Sequence, residues 1–325
     1  MNIIQKFNDK MINRKSRIFV AGHKGLVGSA ILRKLRSKKY LNLIYKTRKQ
    51  LDLTNQLKVY NFLKKSKPDA VIIAAAKVGG IQANNSDKAE FIYENLAIQN
   101  NLIHGSYKAG VKNLIFLGSS CVYPRICKQP IKEEYLLSGY LEKTNEPYAV
   151  AKIAGIQLCL SYNNQYKVNY KCLMPCNSYG INDNYDQNSS HFLPALISKI
   201  INALKNKKDH IKIWGSGKPL REVIISDDIA EACIFFLRKK TKESLINIGS
   251  GIEKSINDYA KFIMKYLQLK LKIINQKEKL DGTPRKLLDS TLAKRYGWKA
   301  RVSLKDGIGI AINDFIKNNI QYKNN

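Results

Sequence analysis

The chain has 325 residues, 44% of them hydrophobic, and its 56 basic and 25 acidic side chains give a net charge of +31. This length and apolar content exclude a wholly disordered chain and suit one large α/β domain, or a nucleotide-binding domain with a smaller partner. The charge would suit a nucleic-acid binder, but the lysines are spread along the chain and no nucleic-acid-binding motif stands out. We interpret the charge as a lysine-rich surface and predict no nucleic-acid partner.

Membrane, secretion and metal signals are weak. No window approaches the roughly 18 apolar residues of a membrane span, and the first residues lack the apolar core of a signal peptide. We therefore predict no membrane association, a cytoplasmic location, and an N-terminal extension over residues 1–14. Six scattered cysteines without a CxxC pair, and only four histidines, predict neither a disulfide framework nor a metal site.

Apolar runs alternate with helical patterns through the first half of the chain. The predicted strands are residues 17–21, 43–45, 70–75, 113–117 and 168–173, and the predicted helices are residues 29–38, 56–66, 88–109 and 149–166. This alternation predicts an α/β fold with a Rossmann-type, doubly wound parallel sheet. After about residue 179, clustered Gly, Asn and Asp indicate a smaller C-terminal lobe.

The sequence GHKGLVG, residues 22–28, lies between the first predicted strand and the first predicted helix. Gly22 permits a tight turn, Gly25 lets the backbone approach a pyrophosphate, and Gly28 lets helix and strand pack closely. The helix N-terminus adds amide donors for phosphate. A turn without a ligand is the alternative, but the strand–turn–helix order favours a dinucleotide site. It would comprise Gly22, His23, Lys24, Gly25, Leu26, Val27 and Gly28.

The end of the second strand predicts which dinucleotide binds. An NAD-specific fold usually carries an acid there, whereas this chain has Lys46-Thr47-Arg48. Arg48, helped by Lys24, is suited to a 2′-phosphate, and Asp52 and Leu53 are placed for the adenine edge. We therefore predict NADP(H). The alternative for Arg48 is an ordinary solvated surface base.

A tyrosine and a lysine, Tyr148 and Lys152, stand four residues apart on a predicted helix and so share one face. A lysine charge nearby would lower the pKa of the phenol, and Ser119, at the end of a strand, could hydrogen-bond the same carbonyl oxygen. A chance surface pair is the alternative. Together with the glycine loop, the set predicts hydride transfer at a carbonyl, with Tyr148 as proton donor. The residues alone do not decide the role of Cys121, which could be a small hydrophobe, a redox sensor, a metal ligand or a base.

These motifs resemble the extended short-chain dehydrogenase/reductases, and within them the GDP-L-fucose synthase family. The stretches that carry the resemblance span nearly the whole chain: AGHKGLVGSAI (21–31), AAAKVGGI (74–81), FLGSSCVYP (116–124), NEPYAVAKIAG (145–155), NSSHFLPALI (188–197), WGSGKPLRE (214–222) and DGTPRKLLDS (281–290). One departure is Gly180-Ile181, where the family commonly has proline after the glycine. We expect an NADP-binding domain at 15–178 plus about 223–249, and a substrate-binding lobe at 179–222 plus 250–320.

The resemblance implies an NADPH-dependent, two-step conversion of GDP-4-dehydro-6-deoxy-D-mannose to GDP-L-fucose, by 3,5-epimerisation and then 4-keto reduction. It implies Cys121 and His191 as the epimerisation pair, and a homodimer formed through helices 88–109 and 148–165. The implied catalytic residues are Ser119, Cys121, Tyr148, Lys152 and His191. Further implied cofactor contacts are Leu117, Gly118, Ser119, Ser120, Lys152, Pro175, Cys176, Asn177 and Ser178. The implied substrate contacts are His191, Lys199, Trp214, Arg221, Asp281 and Lys286.

Three other functions remain possible from the sequence. One is another nucleotide-sugar epimerase or reductase of the same superfamily; a 4-epimerase would not need Cys121. A 4,6-dehydratase commonly needs an acid pair beside the serine, where this chain has Ser120-Cys121. A cofactor-binding regulator or nucleic-acid binder that kept the fold but lost catalysis is disfavoured by the intact Ser119, Tyr148 and Lys152.

Overall fold

The structure, a computed structural model, describes residues 12–186, 189–279 and 281–320. Most of the predicted extension, residues 1–11, lies outside the described residues. The strands are β1 (Arg17–Ala21), β2 (Asn42–Ile44), β3 (Ala70–Ile73), β4 (Asn113–Leu117), β5 (Asn169–Pro175), β6 (Asn177–Tyr179), β7 (His210–Trp214), β8 (Leu220–Ile225), β9 (Leu245–Ile248), β10 (Glu253–Ser255), β11 (Lys272–Gln276) and β12 (Arg285–Lys286). The helices are α1 (Leu26–Ser37), α2 (Gln56–Ser66), α3 (Ile81–Ser86), α4 (Lys88–Lys108), α5 (Glu146–Tyr166), α6 (Phe192–Lys205), α7 (Ser226–Arg238), α8 (Ile256–Tyr266), α9 (Thr291–Arg295) and α10 (Leu304–Ile320).

Six parallel strands form the central sheet in the order β2-β1-β3-β4-β5-β9. β3 and β4 are buried almost throughout, as expected for parallel strands covered on both faces. α1 packs against α7, while α4 packs against α2 and α5. The predicted Rossmann-type, doubly wound sheet is confirmed. The strand order switches between β1 and β3, because β2 lies on one side of β1 and the later strands lie on the other. Open parallel sheets bind ligands at such a switch point.

The C-terminal half contributes smaller sheets around a second group of buried residues. β8 pairs in parallel with β6 and β12 and antiparallel with β10, while β7 and β11 form a parallel pair. Buried side chains of α6, α8 and α10 pack together in this region, apart from the core around the central sheet. The predicted division into two domains, with the boundaries given above, stays a prediction.

Local sequence explains where several elements begin and end. Asn55 caps α2 by accepting a hydrogen bond from the backbone N–H of Lys58 at 3.0 Å, and the Ser255 hydroxyl caps α8 in the same way. Both are favourable N-cap side chains. β3 ends at Ile73, earlier than predicted, and β5 continues to Pro175. Among the described residues, no helix combines the length and apolarity that crossing a membrane requires.

Candidate active site

The glycine loop forms the turn between β1 and α1. Gly22 has φ +84°, and a Cβ on it would come within 2.6 Å of the Ala75 backbone nitrogen beyond β3. A Cβ on Gly28 would lie 2.1 Å from the Gly22 carbonyl oxygen. The loop therefore needs glycine at both positions, and it leaves a backbone cradle at the N-terminus of α1. This cradle fits a dinucleotide phosphate.

The segment after β2 lies beside this loop. The His23 and Tyr45 ring centroids are 4.9 Å apart, which ties the loop to the strand that precedes Arg48. The exposed Arg48 guanidinium lies 3.5 Å from the Glu94 carboxylate on α4, and Lys77 Nζ lies 3.3 Å from the same group. Sequence reasoning missed Glu94, because only the folding of α4 against this segment places it there.

Asp52 and Leu53 make local contacts. The Asp52 carboxylate accepts hydrogen bonds from the Thr54 backbone N–H at 3.0 Å and from its hydroxyl at 2.8 Å, and these bonds lower the pKa of Asp52. The Leu53 carbonyl accepts from Asn101 Nδ2 at 3.0 Å. Both residues thus help to shape the turn beside the predicted adenine site.

The structure brings Ser119, Tyr148 and Lys152 together at the carboxyl end of β4. Tyr148 is hydrogen-bonded to Ser119. Lys152 Nζ donates to the Leu117 carbonyl at 2.8 Å and lies 5.8 Å from the centre of the Tyr148 ring. The carbonyl-reducing set predicted from a strand end and a helix therefore meets at one point, although the two parts are about thirty residues apart in sequence.

One electrostatic expectation about this set is wrong. Burial, reinforced by the charge of Cys121, raises the pKa of Tyr148 above its usual value, and Lys152 does not lower it. The reason is that Lys152 is itself buried, which lowers its pKa to about 8, and its ammonium faces the Leu117 carbonyl. The phenol therefore keeps its proton at neutral pH, the state that a proton donor needs.

Cys121 lies two residues beyond Ser119 and is half-buried. Its backbone N–H donates to the Ser119 hydroxyl at 3.2 Å. Its sulfur accepts from Asn145 Nδ2 at 3.2 Å and from Lys286 Nζ at 3.8 Å. Asn145 is a further residue that sequence reasoning did not single out, although it lies within the quoted NEPYAVAK stretch.

His191 and Arg221 complete the group around Cys121. His191 is the N-cap residue of α6. The residue keeps contact with solvent, but the protein packed around its ring and the charge of Lys286 lower its pKa. Arg221 is only 9% exposed and interacts electrostatically with Cys121 and with Asp281. Lys286 therefore acts on both members of the predicted epimerisation pair, and the predicted substrate residues Arg221 and Asp281 lie beside them.

Lys199 and Trp214 form a separate contact. Lys199 Nζ lies 5.3 Å from the centre of the Trp214 ring, and Lys279 Nζ lies 5.9 Å from it. Trp214 keeps 36% of its surface exposed. An exposed indole face with two ammonium groups suits a flat, anionic ligand. No sequence signal distinguishes Lys279 from the many other lysines of the chain.

The remaining predicted cofactor residues lie along the carboxyl ends of β4 and β5. A Cβ on Gly118 would lie 2.4 Å from the Met174 sulfur, so a larger residue there would require the Met174 side chain to move. Cys176 is buried, and burial together with Glu222 raises its pKa well above the usual value. Its side chain thus belongs to the core, and only its backbone is available to a ligand. The other members of these two segments are Leu117 and Ser120, which are buried, and Pro175, Asn177 and Ser178, which are half-buried.

No cluster of His, Cys, Asp or Glu able to hold a metal ion occurs in the described part of the chain.

The one departure from the family pattern lies in the loop at Gly180 and Ile181. Gly180 has φ +142° and approaches the Ser226 hydroxyl so closely that a Cβ would lie 2.7 Å from it. The glycine of this loop is thus required by the backbone, whatever residue follows it.

Comparisons with known proteins agree with this geometry. Residues 18–249 match the model of the NAD dependent epimerase/dehydratase family. The chain is 49% identical to the GDP-L-fucose synthase of Sinorhizobium fredii, over 93% of this chain and 96% of that one.

Two solved structures are also similar. A GDP-6-OMe-4-keto-L-xylo-heptose reductase from C. jejuni has a TM-score of 0.89 at 36% identity, over 95% of this chain and 100% of that one. A GDP-L-fucose synthetase from Naegleria fowleri bound to NADP has a TM-score of 0.86 at 26% identity, over 95% and 96%. The chain belongs to the NAD dependent epimerase/dehydratase family, and within that family it groups with the GDP-L-fucose synthases.

Proposed function

We propose that the protein converts GDP-4-dehydro-6-deoxy-D-mannose to GDP-L-fucose in two stages, epimerisation at C3 and C5 followed by NADPH-dependent reduction of the 4-keto group. The observation that carries this proposal is the position of the Cys121 sulfur. It lies two residues from Ser119, next to Asn145 and Lys286, and interacts electrostatically with Tyr148. A base for epimerisation and a proton donor for reduction thus share one cleft.

In the first stage, the Cys121 thiolate removes the proton from the carbon next to the 4-keto group. The electron pair moves onto the keto oxygen, where the hydroxyls of Tyr148 and Ser119 stabilise the enolate by hydrogen bonding. His191, in its protonated form, then gives a proton to the same carbon from the opposite face, and the configuration inverts. The thiol returns its proton to His191 through solvent, so that the pair is ready for the second carbon.

In the second stage, the hydride for C4 would come from NADPH held at the glycine loop. Tyr148 donates its phenolic proton to the oxygen, and its raised pKa keeps that proton in place until the oxygen becomes basic. Lys152, buried beside the ring and held by the Leu117 carbonyl, orients this end of the site and meets the ribose of the cofactor. The glycine loop binds the pyrophosphate, Arg48 the 2′-phosphate, and Arg221 the diphosphate of the substrate.

The test is deuterium exchange at C3 and C5, followed by NMR in D₂O with and without NADPH. The wild-type protein should exchange both protons. Cys121→Ser should slow the exchange by about 10²–10⁴-fold, the usual contribution of a positioned base. The matched control is Cys127→Ser, which changes the other half-buried cysteine and should exchange normally. If Cys121→Ser exchanges at the wild-type rate, Cys121 is not the base.

A second candidate is a nucleotide-sugar 4-reductase that does not epimerise; the similar C. jejuni protein is named a 4-keto-heptose reductase. The same experiment separates the two functions. A simple reductase would oxidise NADPH with a 4-keto sugar nucleotide, and the recovered product would carry no deuterium at C3 or C5.

We also propose that the protein acts as a cytoplasmic homodimer formed through α4 and α5. These helices pack against each other and carry exposed apolar side chains, Tyr93 at 69% and Val150 at 40%, which a partner subunit would cover. Light scattering after size-exclusion chromatography should give twice the mass of 37.0 kDa. Tyr93→Lys should then shift the species towards the monomer.

A further inference from the structure

The helix cap at Asn145 is unusual. Asn145 occupies the N-cap position of α5, yet its side chain accepts no hydrogen bond from the helix backbone. Such a bond normally stabilises a helix by about 1 kcal/mol. Instead, the amide nitrogen donates to the Cys121 sulfur at 3.2 Å. The amide oxygen is buried without a hydrogen-bond partner among the described residues, an arrangement that lowers stability rather than raising it.

The environment of the sulfur is positive on several sides. Lys286, on β12, donates to it at 3.8 Å, and Arg221, on β8, interacts with it electrostatically. The other titratable groups around the site are Tyr148 on α5, His191 at the start of α6, and two carboxylates, Asp281 and Glu142, which act on Arg221. Asn145 also places the sulfur beside the N-terminal end of α5, the positive end of the helix dipole. Both kinds of neighbour place positive charge next to the sulfur.

We propose that Asn145 is a positioning residue for Cys121, whose amide N–H holds the sulfur in the cleft and stabilises its negative charge when the thiolate acts as base. Lys286 supplies the opposing charge from the other side. The amide keeps its own protons throughout, while the proton taken from the sugar carbon goes to the sulfur. This inference rests on the proposed epimerase function of Cys121.

The alternative is that Asn145 only starts the helix. Asp is as good an N-cap residue as Asn, and a negative charge at the first turn of a helix is favourable. Asn145→Asp therefore separates the two roles. It keeps the size of the side chain and a residue type that suits the N-cap position, but it replaces the donor to sulfur with a carboxylate that repels a thiolate.

The experiment measures the rate at which iodoacetamide alkylates Cys121, over a range of pH, by peptide mass spectrometry. In Asn145→Asp the rate near neutral pH should fall about ten-fold or more, because a like charge nearby disfavours ionisation by a pK unit or more. The alkylation profile should move to higher pH. Cys127, in the same molecule, serves as internal reference, and its profile should not move.

Deuterium exchange at C3 and C5 should fall in parallel and recover as the pH is raised, while the melting temperature does not drop. Asn55→Asp makes the same change at the N-cap of α2 and should leave both readouts as in the wild type. Asn145→Ala removes the donor without adding a charge. It should lower the alkylation and exchange rates in the same direction, but by less than Asn145→Asp. It also serves as the test if the Asp variant fails to fold.

Unchanged alkylation and exchange profiles in both Asn145 variants would overturn the inference and leave the proposed function standing. The converse outcome is also distinct. If Cys121→Ser exchanges at the wild-type rate while Asn145→Asp still slows alkylation of Cys121, then Asn145 controls the thiolate, but the thiolate is not the epimerisation base.

Discussion

Two buried lysines, Lys152 on α5 and Lys171 on β5, have nearly the same physical state. Lys152 is 4% exposed and Lys171 is 2% exposed. Burial lowers the pKa of each to about 8. Each donates to main-chain carbonyl oxygens, Lys152 to Leu117 at 2.8 Å and Lys171 to Phe236 at 2.7 Å.

Their surroundings differ. Lys152 lies at the carboxyl end of β4, next to the Tyr148 ring. Lys171 lies in the interior beneath the last turn of α7, where it also donates to the Lys239 carbonyl. Those carbonyls have no partner within the helix and carry its partial negative charge. A perturbed pKa alone therefore does not identify a functional group; the reactive neighbours of Lys152 do.

The largest expected effect is on the rate of NADPH oxidation, when Tyr148, the neighbour of Lys152, is replaced. Tyr148→Phe keeps the ring but removes the proton donor, so NADPH oxidation with the keto sugar should fall by about 10²–10⁴-fold. The matched control is Tyr170→Phe, next to Lys171, which removes a buried hydroxyl that donates to the Val111 carbonyl at 3.0 Å. The control should retain near-normal turnover. Normal NADPH oxidation by Tyr148→Phe would refute the assignment of the tyrosine.

Substitution of the two lysines tests the comparison directly. Lys152→Met should lower kcat by about 10²-fold, because the site loses the cation beside Tyr148 and the cofactor ribose. Lys171→Met should leave kcat nearly unchanged in the fraction of protein that is folded. Steady-state NADPH oxidation measures both. A comparable loss of kcat in the two variants would remove the distinction between them.

A smaller effect concerns stability and pH. The folded-state pKa of Lys171, about 8, lies below the usual 10.5, so the unfolded chain binds more protons between these values. The free energy of unfolding should therefore rise with pH across this window, by up to about 3 kcal/mol relative to Lys171→Met. Urea denaturation at several pH values measures this. The wild type compared with Lys152→Met should show the same pH dependence, since burial rather than function causes it. If the difference in the free energy of unfolding between the wild type and either Met variant does not change with pH, the burial argument is wrong.

The smallest effect concerns an exposed base, Arg48. Its removal in Arg48→Ala should weaken NADPH binding about ten-fold more than NADH binding, since one charged hydrogen bond to phosphate contributes about 1.5 kcal/mol. Glu94→Gln is the matched control. It frees Arg48 from its 3.5 Å ion pair and should favour NADPH slightly. Equal losses for both cofactors in Arg48→Ala would show that Arg48 does not contact the 2′-phosphate.

Features that depend on neighbours along the chain could be predicted from the amino-acid sequence. The glycine loop is recognisable because Gly22 and Gly28 act within one strand–turn–helix unit. Tyr148 and Lys152 share a helix face because one helical turn separates them. The alternation of buried strands and amphipathic helices likewise predicted the doubly wound sheet, since each element must bury its own apolar side.

The electrostatics of the site could not be predicted from the sequence, because they depend on how distant elements pack. The donors to the Cys121 sulfur come from 24 and 165 residues away, and Lys171 reaches carbonyls 65 residues beyond it. Local sequence carries no signal for such contacts, because they arise when separate elements pack and exclude water. The same burial that forms the core reversed the expected shift in the pKa of Tyr148, since the cost of desolvating a charge depends on depth in the folded protein and not on position in the chain.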